Sequence, residues 1–270
     1  MTPDYIQLSL LAMLQGFTEF LPISSSGHLL LPTLLLGWPD QGLAFDVAVH
    51  VGSLSAVVVY LRHDITRLLS AWIRNLRHPM MNADSRMAWF IIVATIPGGV
   101  AGLLLNDLVA GAARSIAVVG TTSIIFALLL WYADSKGQRR RTLAEMDWRF
   151  ACLVGLAQAL ALIPGTSRSG ITMTAALLCN MQRDAAARFS FLLSIPIITA
   201  SGLFTALELA ESDSQPLDWV SMLFGTVLSA IVAFICIHYF LRLIGRIGFM
   251  PFVIYRMVIG VLLLGIAVTA

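Results

Sequence analysis

Apolar side chains run in long stretches along the 270 residues, and the polar ones are gathered into a few short intervals. Six stretches, 44–61, 87–105, 116–133, 186–208, 219–241 and 250–268, approach or reach the ~20 residues that an α-helix needs to cross a bilayer. Two further apolar pieces, 4–38 and 150–182, are interrupted near the middle by Pro, Gly and Ser. Each reads as two half-length helices joined by a non-helical tip, because broken backbone at membrane depth survives only where protein, water or a ligand satisfies it. The pattern predicts an all-α integral membrane protein: six transmembrane helices plus two re-entrant helical hairpins.

Composition points the same way. Hydrophobic residues make up 58% and charged residues 12% of the chain, with a mean hydropathy of +0.85, values that exclude an ordinary water-soluble domain. The start, Met1-Thr-Pro-Asp-Tyr5, has no basic segment and no small-residue cleavage site, so the first apolar stretch is expected to stay in the mature chain. Cys152, Cys179 and Cys236 lie in apolar runs without metal-ligand or redox spacing and read as packing residues.

The net charge of +2 says little, but its distribution sets an orientation. Three intervals are basic: Arg62, Arg67, Arg74, Arg77 and Arg86; then Lys136, Arg139, Arg140, Arg141 and Arg149; then Arg242 and Arg246. Basic loops stay on the cytoplasmic side. The basic-poor intervals, 106–115 with Asp107 and Arg114 and 209–218 with Glu211, Asp213 and Asp218, then face outward. Eight full spans could not alternate correctly with these signs. Two hairpins repair the alternation, the first entering from outside and the second from inside, with both termini outside.

The second half then has the order of the first with opposite orientation, an inverted-topology repeat within a single membrane domain, 1–270. Its halves are 1–133 and 150–270, joined by a cytoplasmic linker at 134–149. A 143-residue shift places Gln15 on Gln158, Ser24 on Ser167, Ser26 on Ser169 and Gly27 on Gly170. Pro22 falls one residue away from the matching Pro164.

The tips concentrate the candidate chemistry. Gln15-Gly-Phe-Thr-Glu-Phe-Leu-Pro-Ile-Ser-Ser-Ser-Gly-His28 and Pro164-Gly-Thr-Ser-Arg-Ser-Gly170 set Glu19, His28, Arg168 and several hydroxyls inside apolar sequence. Packing alone gives no reason to bury charges there, so they mark a functional site facing a wet cavity. Helix N-termini at Ser24, Ser25, Ser26 and Gly27, and at Thr166, Ser167, Ser169 and Gly170, suit an anion such as phosphate. Arg168 adds a planar charged fork matched to phosphate oxygens. Ser25 or a neighbour is a candidate nucleophile, His28 a proton carrier or nucleophile, and Glu19 a base or cation ligand. Gln15 and Glu19, four residues apart, share one helix face. His50, near Asp46, reads as hydrogen-bonded structure, and Arg256, ~9 Å of helix from the basic end, as a snorkelling side chain, with an inward-facing phosphate contact as the alternative. Arg183, Asp184 and Arg188 read as interface charges, and Arg139 to Arg141 as a topology determinant able to touch anionic lipid.

With these motifs the chain resembles the undecaprenyl-diphosphate phosphatase family, also called the bacitracin-resistance protein family. The likeness extends to Phe189-Ser-Phe-Leu-Leu-Ser-Ile-Pro196 and Pro251-Phe-Val-Ile-Tyr-Arg256. It implies hydrolysis of undecaprenyl diphosphate to undecaprenyl phosphate and inorganic phosphate, recycling the lipid carrier for cell-wall polymers. It also implies the bacterial inner membrane, a site open to the outer, periplasmic side, and a divalent cation, Mg²⁺ or Ca²⁺, held by Glu19 with Gln15. The catalytic positions that match are Glu19, Ser25, His28 and Arg168. Position 15, often Glu in the family, is Gln here; an amide oxygen can coordinate a cation but cannot act as a base. The implied partners are a polyprenyl diphosphate lipid and the membrane, with no nucleic acid and with homodimerisation left open. The alternative reading is a polyprenyl-phosphate transporter or flippase on the same inverted-repeat scaffold, which needs the Arg168 cradle and no nucleophile.

Overall fold

The computed structural model describes residues 4–112, 115–211 and 218–269, which form helices joined by turns and loops, with one isolated bridge between Arg141 and Met181. Six helices are long and apolar enough to cross a membrane: α3 (Leu43–Tyr60), α5 (Ala83–Ala112), α6 (Ile116–Lys136), α9 (Arg183–Glu211), α10 (Trp219–Ile247) and α11 (Met250–Thr269). They coincide with the six apolar stretches of the sequence. Each interrupted piece forms two short helices, α1 (Tyr5–Thr18) with α2 (Ser25–Leu36), and α7 (Trp148–Ala159) with α8 (Arg168–Leu178). The longest of these, α1, has 14 residues. At ~1.5 Å per residue that is ~21 Å, well short of the ~30 Å hydrocarbon core.

Local chemistry sets the ends of these helices. Asp4 caps α1 by accepting from the N–H groups of Ile6 and Gln7 at 2.9 and 3.3 Å. Gly37, at φ 65°, closes α2 in the left-handed conformation that a glycine adopts without penalty. Met1 to Pro3, Arg114 and Asp213, together with the side chain of Asp107, lie outside the described residues, so the outward loops are only partly visible.

One element departs from the sequence reading. The stretch with Arg62, Arg67, Arg74 and Arg77 is not a loop but a 16-residue helix, α4 (Arg62–Arg77). Its arginines are exposed while Leu68 and Ala71, three apart, are buried, and Trp72 packs edge-on against Trp89 with ring centroids 5.9 Å apart. This is an interfacial amphipathic helix, whose density of arginine hides a narrow apolar stripe.

The two halves interlock. The first arm of each hairpin packs on a span of the other half: α1 lies along α10, and α7 along α5. Helix α3 also runs against α10, and α6 against α11. Small residues permit these approaches. A Cβ at Gly16 would sit 2.5 Å from the Ser229 carbonyl oxygen, one at Gly52 2.3 Å from that of Thr226, and one at Gly155 2.9 Å from that of Ala94. At one end of the bundle Asp64 lies 3.6 Å from Arg188, and Asp134 accepts from Arg183 at 2.6 Å and from the Phe249 N–H at 3.3 Å. These contacts collect the basic segments after α3, α6 and α10 at a common end.

Gly52→Val should therefore wedge α3 away from α10 and cost about 1–3 kcal/mol, the usual range for overpacking. Gly99→Val, where nothing lies within 4 Å of an added Cβ, is the comparison. Thermal unfolding in detergent should show a clear drop for the first and little for the second; equal melting points would mean that the α3–α10 approach is not close.

Candidate active site

Both tips are built by the same local device. Helix α1 ends as the Glu19 N–H bonds the Gln15 carbonyl at 3.0 Å, and the backbone then runs free of helix until Ser24. Ser24 sits at φ 73°, ψ 92°, and its Oγ accepts from the Gly27 N–H at 3.4 Å to start α2. In the second tip α7 passes through a short 3₁₀ turn, Leu160–Leu162, and Ser167 sits at φ 71°, ψ 110°. Its Oγ accepts from the Gly170 N–H at 3.1 Å to start α8. The two serines are the pair related by the 143-residue shift. A positive φ in a residue with a side chain is strained, by ~1–3 kcal/mol, and persists only where the surroundings fix it. The caps and the contacts between the tips supply that fixing.

Those contacts are close. Ser169 Oγ donates to the Leu21 carbonyl at 2.7 Å, and Thr122 Oγ1 donates to the Pro164 carbonyl at 2.7 Å. Gly165, at φ 87°, could carry no side chain, since a Cβ would lie 2.1 Å from Thr122 Oγ1. Arg256, only 1% exposed, donates to the Pro22 carbonyl at 3.2 Å and to those of Gly165 and Thr166 at 2.9 and 3.0 Å. It therefore does not snorkel to the surface as its sequence position allows. It turns inward and fastens the carbonyl sides of both tips together.

The carboxylate of Glu19 is the hub. Its Oε1 accepts from Arg168 Nη2 at 2.8 Å; its Oε2 accepts from Ser25 Oγ at 2.6 Å and from Gln15 Nε2 at 3.0 Å. His50 Nε2 stands 3.9 Å from the same oxygen, and Ser53 Oγ 3.4 Å from Gln15 Nε2. Arg168 also donates to the Ser190 carbonyl at 3.3 Å. A carboxylate at 2.6 Å from a serine hydroxyl is placed to take its proton, and an arginine across from it is placed to hold an anion there.

Of the residues singled out in the sequence, Gln15, Glu19, Ser25 and Arg168 meet directly. Ser24, Ser26, Gly27, Thr166, Ser167, Ser169 and Gly170 form the two helix starts around them, Ser24 Oγ and Ser26 Oγ being 3.4 Å apart and Ser167 Oγ and Ser169 Oγ 3.2 Å apart. His28 is turned elsewhere. Its Nδ1 bonds the Ser24 carbonyl at 2.7 Å and its Nε2 bonds the Tyr255 hydroxyl at 2.7 Å, the two rings stacked at 5.6 Å. A carbonyl only accepts, so Nδ1 carries the hydrogen and, in the neutral ring, Tyr255 donates to Nε2. The basic nitrogen of His28 thus faces Tyr255.

Three site residues were not identified as such from sequence. His50 carried no signal beyond being a lone histidine in a span. Tyr255 is 227 residues from His28. Arg256 carried a signal, a charge within an apolar run, but sequence does not say which way the side chain turns.

A model of the family described as bacitracin resistance protein BacA matches residues 8–262 of this chain. Over 256 residues the chain is 54% identical to "Undecaprenyl-diphosphatase 1" of Pseudoalteromonas translucida, covering 95% of this chain and 96% of that protein. It is 53% identical over 260 residues to "Undecaprenyl-diphosphatase" of Teredinibacter turnerae, covering 96% and 98%. To the protein of the same name in Saccharophagus degradans it is 54% identical over 257 residues, covering 95% and 96%.

Arg256→Lys tests the fastening. One ammonium cannot span three carbonyls, and each charged hydrogen bond lost is worth about 1.5–3 kcal/mol. Amide hydrogen exchange should accelerate in both 22–28 and 164–170 while α3 stays protected. Loosening of one tip alone, or of neither, would contradict the bridge.

Proposed function

This chain belongs to the bacitracin resistance protein BacA family, and we propose that it hydrolyses undecaprenyl diphosphate to undecaprenyl phosphate and inorganic phosphate within the membrane, recycling the lipid carrier. The observation that carries the mechanism is the Ser25–Glu19–Arg168 constellation, hydroxyl to carboxylate at 2.6 Å and carboxylate to guanidinium at 2.8 Å. A flippase would need the arginine and the helix starts but has no use for a serine on a carboxylate.

In the proposed reaction the terminal phosphate lies between the two helix starts, where first-turn N–H groups have no partner within their own helices. Ser25 Oγ attacks the terminal phosphorus, and Glu19 takes the hydroxyl proton. The bond from phosphorus to the bridging oxygen breaks, and undecaprenyl phosphate leaves with the bonding pair. Glu19 gives that proton to the departing phosphate oxygen and then takes one from a water that attacks the phosphoserine phosphorus. The phosphorus–Oγ bond breaks, Ser25 Oγ leaves with the bonding pair and takes the proton back from Glu19, and inorganic phosphate is released. Arg168, released from Glu19 as that carboxylate is protonated, gives its fork to the phosphate oxygens. His28 and Tyr255 sit at the base of α2 and hold the first tip in shape, with a proton available at the Tyr255 hydroxyl.

A divalent cation, Mg²⁺ or Ca²⁺, belongs to this reading. Gln15 Oε1 is buried with no hydrogen-bond partner on the side chain next to Glu19. Among the described residues no three of His, Cys, Asp or Glu gather to form a metal cage. A hard cation that keeps waters and substrate phosphate oxygens needs only one or two protein oxygens, and Glu19 with Gln15 would hold it. Bound there, it would offset negative charge on the diphosphate. The polyprenyl tail would lie among the apolar spans, so substrate need not leave the bilayer. The tips are read as re-entrant and open to the outer face of the bacterial inner membrane, supported by the short helices and by the basic segments gathered at the other end.

Purified protein in detergent should release phosphate from a polyprenyl diphosphate when Mg²⁺ or Ca²⁺ is supplied; no release would sink the hydrolase reading. Ser25→Ala should fall to background, Glu19→Gln should lose about 10²–10⁴-fold in turnover, and Arg168→Lys about 10²–10³-fold. Gln15→Glu examines the cation shell: the half-saturating cation concentration should fall, and an unchanged titration would remove position 15 from the shell.

A further inference from the structure

At the basic end of the bundle, remote from the tips, a cavity of about 210 Å³ is lined by Trp131, Asp134, Ser135, Arg139, Arg183, Met250 and Val253. Its carboxylate is fully used. Asp134 accepts from Arg183 Nε and Nη2 at 2.6 and 2.7 Å and from the Phe249 N–H at 3.3 Å, and Arg139 Nη2 stands 3.4 Å from Oδ1. Two guanidinium groups therefore share one carboxylate. Arg183 is neutralised by the bidentate pair, and the cavity is left with an excess positive charge on Arg139. The Arg139 side chain is 37% exposed and its Nη2 also donates to the Asp134 carbonyl, while its Nε is buried with no hydrogen-bond partner. A buried N–H donor without an acceptor costs stability, and an anion in the cavity would pair with this cation whose nearest carboxylate is already taken by Arg183.

The backbone holds Arg139 in this posture at a cost. Its φ of 51° is strained for a residue with a side chain. The loop is tied down on both sides: the Gln138 N–H bonds Asn180 Oδ1 at 3.0 Å, and the Arg140 and Arg141 N–H groups both bond the Asn180 carbonyl at 3.0 Å. Gly137 packs so closely that a Cβ would lie 2.9 Å from the Ala133 carbonyl oxygen and 3.0 Å from that of Leu177. Strain locked in by surroundings is a mark of a built site. The rim is amphipathic. Trp131 and Met250 are each more than two-fifths exposed at the ends of spans, where aromatic residues meet the headgroup region.

We propose that this cavity binds a phosphate group, with Arg139 as its principal ligand and the Trp131–Met250 wall receiving the start of an acyl chain. The chemistry is that of an anionic phosphodiester headgroup in the leaflet on the basic side, and it is shared by free phosphate. The site is separate from the Glu19 hub and takes no part in the proposed hydrolysis. Arg139 to Arg141 are then not equivalent: Arg139 is a ligand, while Arg140 contributes only general charge.

Native mass spectrometry of the full chain in detergent tests this with three probes: phosphatidylglycerol, phosphatidylcholine and inorganic phosphate. Wild type should retain phosphatidylglycerol over phosphatidylcholine. Arg139→Gln should weaken that retention about tenfold, the worth of one charged hydrogen bond, with phosphate release at the tips unchanged. Arg140→Gln, which removes the same charge one residue away, should retain the lipid as wild type does. Phosphatidylglycerol displaced by millimolar inorganic phosphate from wild type and not from Arg139→Gln would identify free phosphate as the occupant; resistance to displacement would identify the lipid. Equal retention in wild type and Arg139→Gln, or equal loss in Arg139→Gln and Arg140→Gln, would overturn the proposal.

Discussion

The ion pair between Glu19 and Arg168, 2.8 Å long and buried between two helix breaks, is the contact to which the rest of the structure is fitted. Taking a carboxylate and a guanidinium out of water costs several kcal/mol for each, and their attraction repays it only when the remaining lone pairs and protons are also met. Here Ser25 and Gln15 complete the carboxylate, and the Ser190 carbonyl takes a further proton of the guanidinium. The partners are 149 residues apart, one in each half of the chain. They can meet only if the halves interlock, which explains why α1 lies on α10 and α7 on α5 rather than each half closing on itself. The glycines at those crossings serve this end.

The two tips divide the polarity of their backbone. Each breaks a helix and so frees carbonyls on one side and N–H groups on the other. The carbonyls of Pro22, Gly165 and Thr166 are gathered by one buried cation, Arg256. At the starts of α2 and α8 the serine caps take the Gly27 and Gly170 N–H groups, and the other first-turn N–H groups have no carbonyl within their own helices. The same local fold, a serine at positive φ capping the next glycine, thereby produces a surface that is sealed behind and attractive to anions in front. The side chains that meet between the tips differ: the first contributes the Glu19 carboxylate and the Ser25 hydroxyl, the second the Arg168 guanidinium.

Much of this was legible in the sequence because the physics behind it is local. Length and apolarity define the six spans, and Pro, Gly and Ser amid greasy sequence define the tips. Charges that packing cannot explain pick out Glu19 and Arg168, and the 143-residue shift brings their segments together. What escaped depends on direction or on distance. Helix α4 was hidden because its arginines outweigh the two or three residues that it buries. Arg256 was within snorkelling reach of one end, and nothing in the chain says that it turns inward. The His28–Tyr255 bond joins residues at opposite ends of the sequence, a pairing that spacing along the chain conceals.

Charge balance at the tips sharpens the meaning of Gln15. Glu19 and Arg168 cancel, whereas Arg256 is met only by carbonyl dipoles, which accept its protons without cancelling its charge. With an amide at position 15 the tips set one carboxylate, Glu19, against two guanidinium groups, Arg168 and Arg256. A carboxylate there would bring the sum to zero and set two anions four residues apart on one helix face, an arrangement that needs a cation to be stable. The amide removes that need. In the proposed reaction Glu19 and the partnerless Gln15 Oε1 are the protein oxygens that would hold a cation, one of them charged and one neutral.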